Sequence, residues 1–481
     1  MNTELLTQTP LIIGFVLLLL VASFRPTQKE SFSNIIAIVS LATCAALIWA
    51  TLPDNADYFG GAIHVTPIGK VLAQICLALS IGGLFLSQNY LDKVHITAVD
   101  WRMVVMALAL GMVNLCFAGD LATLFISYEL VSIPSYVLAG FSHKDIRSNE
   151  AGMKYLLLGV FSSVLFLLGL SFVYGATGEI NLLAIQAKLD MAVNAGLSAD
   201  LVFAKIGMAL IIGAVFFKVA IAPLHNWLPD VYQGTNMASL AFISSPVKVA
   251  VFGMLGALLW GAFASLAEVW KPILMVAAAI SALMGNLQAI RQTNLKRLLA
   301  YSAVVNGGFI LLGILVNSAP ILIFYLGSYG VMTLGSWAAL MAMGTPHADV
   351  DELSDLNGLS SKSKWLALAF TVLLLSYAGT PLTSGFAAKV GVILEALRPE
   401  ANVPRHTLSV IIFSVVCGLI SFYFYFQIIR AMWIQDENES TPMKKGIQLK
   451  VSDLRWNYLF VLVMSVVIIL SLGMFIRPPG L

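Results

Sequence analysis

Charge is what this sequence has least of. Only 11% of its 481 residues are Asp, Glu, Lys or Arg, while 59% are hydrophobic; soluble domains carry about a quarter charged residues. The net charge of +2 gives no footprint for a nucleic-acid partner. Cysteine is sparse too. Cys44, Cys76, Cys116 and Cys417 stand far apart along the chain, each within an apolar run, and no CxxC pair occurs. That spacing argues against an iron–sulfur or zinc framework and leaves four small packing residues. There is no GxGxxG after a strand, no Walker loop and no polar stretch long enough for a nucleotide-binding domain. No cofactor and no metal are therefore expected on this chain.

What the sequence has in abundance is apolar runs of membrane length. A bilayer core takes about 20 such residues per helix, and about fourteen runs of that size are present. The expected fold is an all-α polytopic membrane protein. The first run, LIIGFVLLLLVASF, has no basic segment before it and no small-residue cleavage site after it, so it reads as a retained helix. The run over 365–397 is too long for one straight helix and holds AGTPLTSG in its middle, where a break is expected.

Basic residues fix an orientation. Loops after odd-numbered runs hold most of them, among them Arg25, Lys29, Lys93, Arg102, Lys144, Arg147, Lys154, Arg291, Lys296, Arg297, Lys444, Lys445 and Lys450. The other loops hold only Lys70, Lys188, Lys205, Lys271, Arg398, Arg405 and Arg477. The positive-inside rule then places both termini on the non-cytoplasmic side. The outer segment 177–203 mixes apolar and polar residues at helical spacing, as a helix lying along the membrane surface would.

Four ionisable residues are left within the runs: Glu129, Lys218, Lys248 and Lys389. A single such lysine could snorkel to the interface from a helix end. Four together, one acid among three bases and each flanked by apolar positions, point to an ion or proton path. Lysine suits this task because a desolvated ammonium gives up its proton readily and a nearby carboxylate restores it. Glu129 is the expected partner of Lys218, with Lys248 and Lys389 as later stations. Lys218 precedes Pro223 by five residues, and Lys389 follows Pro381 by eight. The two prolines lie five runs apart, an odd number, so five-helix units at 101–265 and 266–432 would be inverted repeats with helices 7 and 12 broken, as in ion-coupled transporters. Segments 1–100 and 433–481 then flank them as helices 1–3 and a loop with helix 14. His225, just beyond the first break, could relay protons or cap freed backbone groups. Asn114, Asn286 and Asn306 could hold water or join helices.

The segments YELVSIPSYVL, FKVAIAPLHNWLPDVYQG, SPVKVAVFG, QTNLKRLLAYS and YAGTPLTSGFAAK occur in this order. Together they resemble the antiporter-like, proton-pumping subunits of respiratory complex I, NADH:quinone oxidoreductase, which share ancestry with Mrp-type cation/proton antiporters. The resemblance covers roughly residues 100–430, and PDVYQG is similar to the N type (mitochondrial subunit 2 type). It implies that Glu129, Lys218, Lys248 and Lys389 form the proton relay of a translocase subunit in a bacterial inner membrane. It also implies that NADH, FMN, iron–sulfur clusters and quinone belong to partner subunits. Those partners would include a neighbouring antiporter-like subunit and small membrane subunits. Asn306 stands where that family has a histidine, so water would have to bridge there. Other functions the residues allow are an Mrp-like antiporter subunit and a structural arm of a related hydrogenase or ferredoxin-linked complex.

Overall fold

The computed structural model describes residues 3–24, 30–88, 90–196, 198–344, 349–398, 405–434 and 455–474. Arg25, Lys29, Lys444, Lys445, Lys450 and Arg477 lie outside the described residues.

The chain opens with α1 (Thr3–Phe24), α2 (Glu30–Thr51) and α3 (Pro67–Ser87). After one-turn α4 (Tyr90–Lys93) come α5 (Ala98–Phe117), α6 (Leu121–Ala139) and the long α7 (Ile146–Thr177). A short α8 (Leu182–Ala195) leads to α9 (Ser198–Val219), which stops before Pro223. Then follow α10 (Trp227–Gly234), α11 (Met237–Ser244) and α12 (Pro246–Trp260). The second half has α13 (Ala267–Ala289), α14 (Leu295–Leu315), α15 (Ala319–Met343) and one-turn α16 (Leu359–Lys362). It closes with α17 (Lys364–Ala378), α18 (Ser384–Leu397), α19 (Arg405–Trp433) and α20 (Trp456–Met474). Among the described residues, thirteen helical spans are long and apolar enough to cross a membrane, and the interrupted pair α17–α18 occupies the run 365–397. The break expected near AGTPLTSG is present. The apolar run Met237–Trp260 is interrupted as well, at Ser245 between α11 and α12.

Local chemistry sets where helices begin. Asp120, Asn181 and Asn294 precede α6, α8 and α14, and each side-chain oxygen accepts from an N–H of the first turn. Thr66 does the same for α3, whose first residue is Pro67. Such caps satisfy donors that have no partner within the helix.

The loops gather into two groups, as alternating spans require. A hairpin of β1 (Ala56–Tyr58) and β2 (Ile63–Val65) meets Ala118 through Ile63, and Asp120 bridges to Asn181. At the other end, the basic one, Lys93 meets Asp349 at 2.6 Å, Lys296 meets Asp351 at 3.3 Å, and Asn294 bridges to Glu352. The acidic segment after α15 is thus a clamp over two other loops. Burial disfavours the Asp349 carboxylate, but the charges of Lys296 and Lys93 and bonds from Lys93 and Tyr90 outweigh it and hold its pKa below the ordinary aspartate range.

The central helices are enclosed by protein. The α14 span is wholly buried and the α11–α12 span nearly so, whereas α1, α7, α19 and α20 present large apolar side chains outward. Packing repeats between the halves: α5 packs on α6 and α12, as α13 packs on α14 and α19. Likewise α7 packs on α9, as α15 packs on α17 and α18.

Candidate functional site

Each of the three lysines stands at a helix interruption. The first and third share their backbone geometry. Ala220 is left-handed (φ 59°), and the next N–H, of Ile221, donates to the Phe216 carbonyl at 2.8 Å. Gly379 is left-handed too (φ 86°), and the next N–H, of Thr380, donates to the Leu375 carbonyl at 3.0 Å. Both are the six-to-one bond of a Schellman ending. The Ala222–Pro223 peptide is cis.

Lys218 is in the last turn of α9, 2% exposed, where the helix dipole favours a cation. Its Nζ has no hydrogen-bond partner and lies 4.7 Å from the Tyr136 ring centre and 5.3 Å from that of Tyr155. Two π faces thus replace part of its hydration, a contact worth about 2 kcal/mol when desolvated. Tyr155 stacks on Trp227 at 4.4 Å, and the Trp227 Nε1 donates to the Phe217 carbonyl at 3.0 Å. The tryptophan of α10 therefore pins the end of α9 and one wall of the lysine site.

Glu129 lies midway along α6, seven residues and so two turns before Tyr136 on the same face. Its carboxylate is within electrostatic reach of Lys218, but its buried oxygen makes no hydrogen bond and the two do not form a contact ion pair. The direct pair expected from the sequence is absent in this arrangement. Rings, not the carboxylate, touch the ammonium.

Lys248 is the third residue of α12, directly after the Ser245 interruption, and is also 2% exposed. The Ser245 hydroxyl donates to the Gly330 carbonyl at 2.9 Å, tying the interruption to α15. The Lys248 Nζ lies 6.0 Å from the Tyr329 ring centre and has no hydrogen-bond partner. Lys389, half-buried on α18, is fully engaged. Its Nζ donates to the Tyr377 carbonyl at 2.8 Å and the Ala378 carbonyl at 3.2 Å, over the Phe309 ring at 4.8 Å. Both acceptors end α17. The chain leaves the helix at left-handed Gly379, so the lysine answers last-turn carbonyls that have no backbone donor.

His225 is buried, and its Nε2 bonds the Gln288 side chain at 2.7 Å while Nδ1 has no partner. Its side chain caps no backbone group. Beyond it, Asp230 accepts from Lys154 at 2.9 Å and Arg297 at 2.6 Å beside an open cleft of about 270 Å³ at the basic end. Partial burial opposes its ionisation, yet the bonds and charges of Arg297 and Lys154 hold its pKa below the ordinary range. Asn114 accepts from Gln8 at 2.8 Å, and Asn286 donates to Ala282 and Cys417 carbonyls, so both join helices. Asn306 donates to the Ser302 carbonyl at 2.9 Å, near Tyr325. Arg102, counted with loop charges in the sequence, is fully buried within α5, its Nη1 donating to Ser33 at 2.5 Å.

Sequence reasoning missed the ring partners Tyr136, Tyr155, Tyr329 and Phe309. Tyr136 alone left a signal, its two-turn spacing from Glu129.

Known proteins share this fold. In Herpetosiphon aurantiacus, NADH-quinone oxidoreductase subunit N 1 is 34% identical, over 90% of this chain and 87% of that one. Subunit N of Hirschia baltica is 35% identical, over 89% and 88%. Among solved structures, respiratory complex I from Thermus thermophilus with bound aureothin contains a chain with a TM-score of 0.78 and 27% identity. The match covers 99% of this chain and 98% of that one. An Mrp complex from a Dietzia species shares the fold at a TM-score of 0.81 and 18% identity, over 98% and 95%. The family described as NADH:quinone oxidoreductase/Mrp antiporter, TM, matches residues 118–420, well over half of the sequence and a range that includes Glu129, Lys218, Lys248 and Lys389, and this chain belongs to it.

Proposed function

We propose that this chain is a proton-translocating subunit in the membrane arm of an NADH:quinone oxidoreductase of the complex I type, with Glu129, Lys218, Lys248 and Lys389 as its proton stations. The observation that carries this reading is the placement of three lysines, two of them buried, each at a helix interruption. An interruption gives irregular backbone and room for water where a continuous helix would give neither.

Glu129 is near Lys218 without touching it. Its approach holds a proton at the Lys218 Nζ, and its withdrawal releases that proton toward Lys248. Movement of Glu129 is driven by quinone reduction elsewhere in the complex. NADH, FMN, iron–sulfur clusters and quinone reside on partner subunits. Those partners include a second antiporter-like subunit and small membrane subunits, in a bacterial inner membrane. Both termini face the non-cytoplasmic side, and residues 101–265 and 266–432 act as two inverted half-channels. His225, with Nδ1 free, serves as a branch between Lys218 and the basic end.

The test is Lys218→Ala and Glu129→Ala in the assembled complex within sealed vesicles. Proton pumping and coupled NADH–quinone turnover fall sharply while assembly persists; unchanged pumping in both sinks the relay. The likeness to an Mrp complex supports a second reading as a cation/proton antiporter subunit. A sodium gradient that drives proton movement without NADH would favour it.

A further inference from the structure

The hairpin end of the bundle, opposite the basic loops, holds a pocket of about 270 Å³. Its walls come from α3, α5, α6, α8 and α12, and β2 contributes His64. Three contacts gather these elements. Asp57 faces His64 across the hairpin, Ile63 bridges to Ala118, and the Asn181 side chain donates to the Gly61 carbonyl at 3.3 Å. The starts of α3, α6 and α8 are thereby tied around one space.

Most of the lining is apolar, from Ile68, Leu72, Leu115, Leu124, Met254 and Leu258. All of these but Ile68 are buried. Walls of this kind do not order water, and a cavity of about 150 Å³ with such walls takes a benzene ring. By that ratio the pocket accepts an alkyl chain of about ten carbons.

The polar groups are few, and most are committed. The Thr66 hydroxyl oxygen accepts from the Gly69 N–H, and the Asn181 oxygen accepts from those of Leu183 and Ala184. Trp260 donates to the Ile314 carbonyl. Two groups remain, on the hairpin and on α8, which Asn181 holds together. The Gln186 amide makes no hydrogen bond among the described residues, and His64 is engaged only through Nδ1, 2.7 Å from the Asp57 carboxylate. A carboxylate only accepts, so Nδ1 carries the hydrogen and the neutral ring offers Nε2 as an acceptor. A hydroxyl can donate to Nε2, and Gln186 can donate to the oxygen of that hydroxyl. A carboxylate or phosphate head would instead meet an acceptor nitrogen backed by Asp57.

We infer that this pocket binds an uncharged single-chain amphiphile, its alkyl chain among the walls of α3, α5, α6 and α12 and its hydroxyl head at His64 and Gln186. Two sources share that chemistry, a monoacylglycerol of the bilayer and a fatty alcohol from solution. The site stands whether or not the lysines relay protons.

The experiment uses the assembled complex and a decanol that carries a photoreactive diazirine on its chain, at about pH 8, above the ordinary imidazole range. Cross-links should fall on peptides holding Leu72, Leu124 and Met254, and excess decanol should suppress them. At equal concentration in the detergent phase, decanoate and decane should compete about threefold to tenfold more weakly, the scale of one hydrogen bond. Ala257 lines the pocket and is exposed, so Ala257→Leu fills the space and should abolish the labelling. His64→Ala and Gln186→Leu should each weaken decanol by about the same factor and leave decane unchanged. Decanol added to the solubilised complex and monodecanoylglycerol carried in vesicles separate the two sources. Competition in either arm supports the site, and competition in neither overturns it. Equal competition by decanol, decanoate and decane also overturns it, as does undiminished labelling in Ala257→Leu. If His64→Ala fails to assemble, Gln186→Leu and the wild-type competition series decide.

Discussion

Lys389 takes the place of a backbone donor: its Nζ bonds the Tyr377 carbonyl at 2.8 Å, the acceptor that a continuous helix would offer to residue 381. The helix ends at left-handed Gly379, so the carbonyl would otherwise be orphaned in the bundle. The lysine is thereby both a proton station and the strut of its own helix break. Lys389→Ala leaves the carbonyl unpaired and costs about 1–3 kcal/mol. The expected result is faster hydrogen exchange over 377–387 together with loss of pumping. Unaltered exchange in Lys389→Ala would show that the strut is idle.

The ring clamp on Lys218 gives a second prediction. Tyr136→Phe and Tyr155→Phe keep the faces and leave pumping largely intact. Tyr136→Leu and Tyr155→Leu remove them and weaken the hold on the ammonium by about 0.5–2 kcal/mol. The leucine variants should shift the pH profile of coupled turnover, and the phenylalanine variants should not.

The two left-handed residues at the breaks respond oppositely to the same exchange. Ala220 (φ 59°) bears a strain of about 1–2 kcal/mol that glycine avoids. Ala220→Gly is therefore neutral to stabilising in thermal unfolding of the complex. Gly379→Ala imposes that strain, and its Cβ would come 3.1 Å from the Lys389 side chain. It should destabilise and impair pumping together.

The clamp at the basic end predicts a pH dependence. Asp349 is held below the ordinary aspartate range by Lys296 and Lys93. Its contribution to stability is full above the unfolded value of about 3.9 and is lost as pH falls further, through the folded value. Hydrogen exchange over 349–358 should rise below about pH 4. In Asp349→Asn it should be raised already at neutral pH, with little further change on acidification.

Much of this molecule was legible because the deciding physics is local. About 20 apolar residues make a span. Alternation of basic loops sets parity, and the two loop groups found in the fold obey it. Pro223, Pro381 and Gly379 announce breaks because a missing N–H and a left-handed residue act within one turn. Scarcity of charge made Glu129, Lys218, Lys248 and Lys389 conspicuous. The Ser245 interruption was hidden, since proline is equally at home in the first turn of an unbroken helix start.

Partners across helices belong to the tertiary structure alone. Tyr329 meets Lys248, and Phe309 meets Lys389, from far along the chain, and no periodicity within one helix encodes which faces oppose. Arg102 looked like a loop charge until α5 packed and buried it. The pocket beside His64 exists only where the hairpin and five helices converge. The sequence by itself determined which groups had to be kept from lipid; packing decided what each of them touches, because contacts between helices depend on how whole faces fit and not on local spacing.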